Sequence, residues 1–183
     1  KEYVMTPEEL VERRDEIYRQ YPVLMCGEYE ERGLERQGYE NARTDNIAAL
    51  WGFAEMQRDK YGWAHYRFVE DEIATPAFKG IWVSFNRITL GEAPNGMWAY
   101  SIGVSIGTSG YAGPVGIYDI PFESRDAALS AAVKDFRKSM ERVTGAQDVT
   151  QKMKSEIRML EKWLRDVEAC GGNRKEDVQL CLF

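Results

Sequence analysis

Apolar residues keep two different periods along this chain, and the change between them divides it. Over 98–106, Trp98, Tyr100, Ile102, Val104 and Ile106 alternate with Ala99, Ser101, Gly103 and Ser105. A period of two is that of a strand, whose successive side chains point to opposite faces. One face here is large and the other small, which predicts a strand inside a sheet with a helix on one side. Residues 79–90 alternate in the same way through Ile81, Val83 and Phe85, and Asn95-Gly96 between the two runs is a tight-turn signal. Val115, Ile117 and Ile120 suggest a third strand, and Tyr66–Val69 a fourth. The expectation is a meander of antiparallel strands across 79–120.

On either side the period lengthens to that of a helix. Thr6-Pro7-Glu8-Glu9 supplies a cap, a proline suited to the first turn and acids that favour the helix dipole. Leu10, Val11, Ile17 and Tyr18 then form a stripe that stops before Pro22. Residues 26–43 are highly charged and hold Gly27, Gly33 and Gly38, so a loop with a short helix is expected there. Asp45 is the expected cap of a helix carrying Ile47, Leu50, Trp51, Phe53 and Ala54 and ending near Tyr61-Gly62. Downstream, Ser124-Arg125-Asp126 opens a helix with Ala128, Leu129, Ala132, Val133, Phe136 and Met140 on one face, stopped by Thr144-Gly145. A last helix over about 146–169 spaces Val149, Met153, Ile157, Leu160, Leu164 and Val167 at alternating threes and fours. It is too short for a coiled coil, so packing on its own domain is expected, with self-association as the alternative.

The predicted class is α+β: an antiparallel three- to four-stranded sheet packed against helices, with a C-terminal helical hairpin. Four regions follow: an acidic helical region 1–62, a β-meander plus helix 63–145, a helix 146–170 and a tail 171–183.

Composition narrows the function classes. Of 183 residues, 44% are hydrophobic and 12% aromatic, enough for a folded core. No apolar run approaches the roughly 20 residues that span a bilayer, and Lys1-Glu2-Tyr3 does not open a signal peptide. A cytoplasmic protein without a membrane partner is expected. Cys26, Cys170 and Cys181 are widely spaced and His65 is the only histidine, so no zinc set is legible. Reduced thiols and no cofactor are expected. Net charge is −6, without a basic footprint for a phosphate backbone. Most of the excess acid falls in residues 1–45, with 12 acids against 7 bases. Glu28, Glu30, Glu31, Glu35 and Glu40 make this stretch a candidate acidic surface for a basic partner.

The sharpest local signal is Gln179-Leu180-Cys181-Leu182-Phe183, behind the polar spacer Gly171-Gly172-Asn173-Arg174-Lys175-Glu176-Asp177. A helix stop, a polar leash and a short apolar plug suit capture by a groove on another protein. The pentapeptide resembles the Gln-Leu-x-Leu-Phe motif by which bacterial proteins dock onto the DNA polymerase sliding clamp. The resemblance implies that Gln179, Leu182 and Phe183 fill clamp subsites with Leu180 assisting. Cys181 falls at the variable position, where serine or aspartate is commoner. The likeness covers five residues and says nothing about the body. Ile88–Met140 also resembles, weakly, a module of plasmid and mobile-element ParB-like proteins, through Trp98-Ala99-Tyr100, Gly113-Pro114 and Phe122-Glu123-Ser124-Arg125.

Other candidates are weaker. Gly107, Ser109, Gly110, Tyr111 and Gly113 form a candidate ligand loop whose backbone N–H groups would meet a phosphate, but it has no lysine and opens no helix. Trp51, Trp63, Tyr66, Trp82, Trp98 and Tyr111 would stack bases if exposed, near Arg67, Lys79 and Arg87. Cys26 and His65 are a conceivable catalytic pair without a recognisable elbow, and Glu70-Asp71-Glu72 reads as a wet turn rather than a metal site.

The function expected from these residues is a non-enzymatic bacterial, phage or mobile-element accessory protein that docks on the sliding clamp. Its body would offer a second contact to DNA, a nucleotide or a host defence protein. The alternative is a phage counter-defence inhibitor, anti-CRISPR-like or signal-sequestering, acting through the acidic region or the glycine-rich loop.

Overall fold

In the computed structural model, residues 5–54, 57–60, 64–75, 86–145 and 148–171 are described. Three helices come first: α1 (Pro7–Gln20), α2 (Cys26–Glu31) and α3 (Arg36–Leu50). Two short strands, β1 (Gln57–Arg58) and β2 (Ala64–His65), pair with each other. The main sheet follows as β3 (Val69–Ala74), β4 (Arg87–Glu92), β5 (Trp98–Ile106) and β6 (Ser109–Ala112), then α4 (Arg125–Gly145) and α5 (Gln151–Ala169). The class is α+β, with an antiparallel sheet in the order β3-β4-β5-β6.

The register runs Ile73↔Ile88↔Ile102 and Asp71↔Leu90↔Tyr100 across β3, β4 and β5. It puts Ile73, Ile88, Leu90, Ile102, Val104 and Ile106 on one face, where they meet Leu129, Val133 and Phe136 of α4 and Leu160, Trp163 and Leu164 of α5. The small face of β5 predicted from Ala99, Ser101, Gly103 and Ser105 lies opposite. Its Ala99 end joins a second apolar cluster with Leu10 of α1, Ile47, Ala48 and Trp51 of α3, and Phe68, Val115 and Ile117. Gly91 makes this second packing close: a Cβ there would stand 2.8 Å from Phe68 Cβ and 3.0 Å from Val115 Cγ1.

Several expectations are corrected. Val115 and Ile117 are buried, but they lie in an irregular segment and pack on the second cluster; the strand beside β5 is β6, within the stretch read as a loop. The edge strand begins at Val69 rather than covering Tyr66–Val69. Ile81, Val83 and Phe85 lie outside the described residues, and the alternation is seen in β4. The Asn95-Gly96 turn is three residues long, closed by Ala93 N–H to Met97 O at 2.8 Å. The third helix starts at Arg36, not after Asp45. Glu35 caps it by accepting from Gln37 N–H at 3.0 Å and from Gly38 N–H. Gly38 admits that carboxylate because a Cβ there would stand 2.8 Å from it.

α3 also ends at Leu50, short of Tyr61-Gly62, and the last helix starts at Gln151 rather than near 146, while α1 and α4 start where their cap signals put them. Thr6 and Glu9 form a reciprocal capping box on α1. Ser124 Oγ accepts Ala127 N–H at 3.2 Å, and Thr150 caps α5. α5 packs on its own sheet, as expected, and its buried face includes Trp163, which stands edge-on to Phe136 at 5.4 Å. No helix among the described residues is long and apolar enough to cross a membrane.

Candidate functional site

The clamp-type pentapeptide Gln179, Leu180, Leu182 and Phe183 lies outside the described residues; the structure shows where the chain leaves for it. α5 ends at Ala169, and Gly171 adopts φ +61°, a left-handed stop that glycine takes without strain. Its carbonyl oxygen accepts from Arg125 Nη1 at 2.7 Å. The same guanidinium reaches Asp71 of β3 from Nε and Nη2, at 3.1 and 2.6 Å. Arg125 thus ties the start of α4, an edge strand and the end of α5 together.

The candidate ligand loop is a hairpin. Gly107 and Thr108 make the turn, and Ser109, Gly110 and Tyr111 lie in β6, paired with Ile106, Ser105 and Val104. Gly113 follows the strand. Gly107 N–H donates to Glu156 of α5 at 3.1 Å. A carboxylate already holds the turn's amide, so a second anion there would meet repulsion. Tyr111 is 46% exposed and its hydroxyl is bonded to Ser139 of α4.

The acids of 28–40 serve mostly local structure. Glu28 accepts from Met25 N–H at 2.6 Å and lies 3.8 Å from Arg32. Glu35 caps α3. Glu40 accepts from Arg36 Nε and Tyr29 OH, both at 3.0 Å, and the arginine's bond leads in holding its carboxyl below the usual range. Glu30 and Glu31 are exposed.

Among the aromatics, Trp51 is fully buried and donates its indole N–H to Ile117 O at 2.8 Å. Trp98 packs against the first cluster, and Trp63 and Trp82 lie outside the described residues. Tyr66 is half-buried beside exposed Arg67, and both line a groove of about 770 Å³ with Pro114 and Val115. Lys79 is outside the described residues, and Arg87 lies 3.8 Å from Glu72. The side chains of Cys26 and His65 are likewise outside them. Glu70, Asp71 and Glu72 alternate along β3, so Asp71 and Glu72 point to opposite faces, toward Arg125 and Arg87.

No protein-family model, curated protein or solved structure matches this chain.

One cluster was not singled out in the sequence. The seam between α1 and α3 is apolar at one end, through Leu10, Ile47 and Trp51. Four residues along each helix it turns basic and hydroxylic. Arg14 Nη1 donates to the carbonyls of Tyr118 and Asp119, at 3.0 and 2.7 Å, and holds the 116–119 turn against α1. Thr44 and Tyr118 join their hydroxyls at 3.0 Å. Burial raises the Tyr18 phenol, with Arg14, Tyr118 and Arg43 all near enough to act on it. Burial also raises the Asp119 carboxyl, whose Oδ2 accepts from Gly116 N–H at 2.6 Å. Nε and Nη1 of Arg43, and Nε of Arg14, are buried without a hydrogen-bond partner. The available signal was their spacing: Arg14 is four residues past Leu10, and Arg43 four before Ile47, so both occupy inward-facing positions of amphipathic helices.

Proposed function

We propose that this protein acts by binding rather than by chemistry, and that the segment Gln179-Leu180-Cys181-Leu182-Phe183 docks it on a bacterial DNA polymerase sliding clamp. The carrying observation is that pentapeptide itself. It combines one amide side chain that fixes register with three apolar anchors, behind a polar spacer. Support comes from the point of departure. Seven residues, 172–178, separate the Gly171 carbonyl held by Arg125 from Gln179. At about 3.3–3.6 Å per residue, that length suffices to clear the body.

Docking would hold the body at clamp-loaded DNA at a high effective concentration without further contacts. The protein would then be an accessory factor of a bacterium, phage or mobile element, working in the cytoplasm where clamps operate. The body's own ligand would be DNA, a nucleotide or a host defence protein.

The test is calorimetric titration of purified bacterial sliding clamp with the full chain and with Leu182→Ala/Phe183→Ala. Two anchor truncations are expected to weaken binding by about 30-fold or more, with an unchanged circular dichroism spectrum. Equal clamp affinity of the two chains would refute the proposal.

A further inference from the structure

We propose that the hydroxylic end of the α1–α3 seam binds a small phosphate-type oxyanion, with Arg43 as its anchor. Arg14 and the hydroxyls of Tyr18 and Tyr118 supply the surrounding donors; Thr44, whose hydroxyl donates to the Glu40 carbonyl at 2.9 Å, lines the site as the present acceptor of Tyr118. The site uses residues separate from the clamp-type segment, so the two readings stand or fall apart.

The argument starts from donors left over. A guanidinium carries five N–H donors and keeps its charge in proteins. Arg14 spends Nη1 on two carbonyl oxygens, but its Nε has no acceptor. Arg43 places Nε and Nη1 in the interior with no acceptor at all. Withdrawing such donors from water without a partner is costly, and folded proteins leave few of them. A positive group kept there is explained if an anion completes it.

The neighbouring carboxylates do not fill that role. Glu40 gives one oxygen to both Arg36 and Tyr29; it feels the charge of Arg43 but stands in no ion pair or hydrogen bond with it, so the buried N–H groups stay unmatched. Asp119 accepts from Gly116 N–H, and its burial disfavours the charged form. Asp15 acts on Tyr18 only through its charge, and it lines a separate groove on the outer side of α1 with Val11 and Ile120. No carboxylate among the described residues is within ion-pair distance of Arg43.

The seam is also reachable. Tyr118 is 45% exposed, and the Thr44–Tyr118 hydroxyl pair lies at the surface. An anion entering beside this pair would meet donors from α1, α3 and the 116–119 turn. Donors carried by three separate elements suit a tetrahedral group, which offers more than two oxygens, over a planar carboxylate. On binding, the Nε–Nη1 edge of Arg43 turns toward the anion, a rotamer change on a partly exposed side chain.

The test titrates inorganic phosphate into the full chain, with chloride balancing ionic strength, and follows heat of binding and the thermal midpoint. Saturable binding is expected, with the midpoint rising by roughly 2–4 °C at phosphate about five times its Kd. Arg43→Met is expected to bind about tenfold more weakly or worse while keeping its helical spectrum. Tyr118→Phe, a substitution at the exposed rim, should weaken binding several-fold whether or not Arg43→Met folds. A nucleoside monophosphate arm separates sources: tighter binding than inorganic phosphate assigns the site to nucleotides, and equal binding to free phosphate. Absence of saturable phosphate binding by the unaltered chain, or equal binding by Arg43→Met, overturns the proposal.

Discussion

Two helix pairs flank the sheet, and they handle arginine in opposite ways. Between α4 and α5 the seam is apolar throughout, and the charge sits outside it. Arg137 of α4 reaches across to Glu168 with two bonds, at 2.8 and 2.7 Å, and approaches Glu161 at 3.6 Å. The arginine's bond holds the Glu168 carboxyl below its ordinary range. Between α1 and α3 the arginines lie inside, and three of their nitrogens go without an acceptor. The first pair is what stability alone would select. The second retains a local cost, and retained costs of that kind gather where a protein binds something.

The contrast can be tested by substitution. Phe136 is fully buried against Trp163 and the sheet, so Phe136→Ala should destabilise the fold by about 3–5 kcal/mol in urea melts. A loss below about 1 kcal/mol would mean that the α4–α5 core is not packed as described. Arg137→Met should cost only about 0.5–1 kcal/mol, and less in high salt, because the pair it breaks is largely exposed. Arg43→Met in phosphate-free buffer should cost nothing measurable or stabilise slightly, since it removes buried donors that have no partner. A loss as large as that of Arg137→Met would show that Arg43 is structural, and the comparison would fail.

The last expected effect is confined to alkaline solution. Burial, reinforced by Asp135, pushes the Tyr100 phenol up to about 12 from 10.0. The unfolded chain therefore gives up this proton first. The stability it contributes is complete below pH 10 and declines as pH rises toward about 12. Tyr100→Phe should flatten that part of the stability profile, and an unchanged slope would contradict the assignment.

What could be read in the sequence depended on how many residues spoke for each element. β5 and α4 each carry a long single-period run, and α1 has a complete cap, so their faces and starts were legible. The sequence puts the start of α3 too late because Gly38 counts as a loop marker when read alone. Only the folded cap shows that the glycine makes room for Glu35. β6 was hidden for a related reason: Ser109-Gly110-Tyr111-Ala112 has one large residue and no alternation, and pairing with β5 decides its conformation. Val115 and Ile117 sent the opposite false signal, since two buried residues spaced by two mimic a strand wherever a loop packs on a core. The a/d-like spacing of α5 leaves out Trp163, because the helix buries a wider stripe than a coiled-coil seam. The arginine seam escaped because an arginine in an amphipathic helix ordinarily faces water. Its position relative to Leu10 and Ile47 needed the antagonist helix to acquire meaning.

The grip of Arg125 on the Gly171 carbonyl has a mechanical side. A pull applied along residues 172–183 would arrive first at that carbonyl, and from there pass through the guanidinium to Asp71 in the sheet. Part of the load would then pass to the ladder between β3 and β4 rather than all of it to the last turn of α5. Whatever the distal segment is fastened to, part of the strain reaches β3 through this arginine.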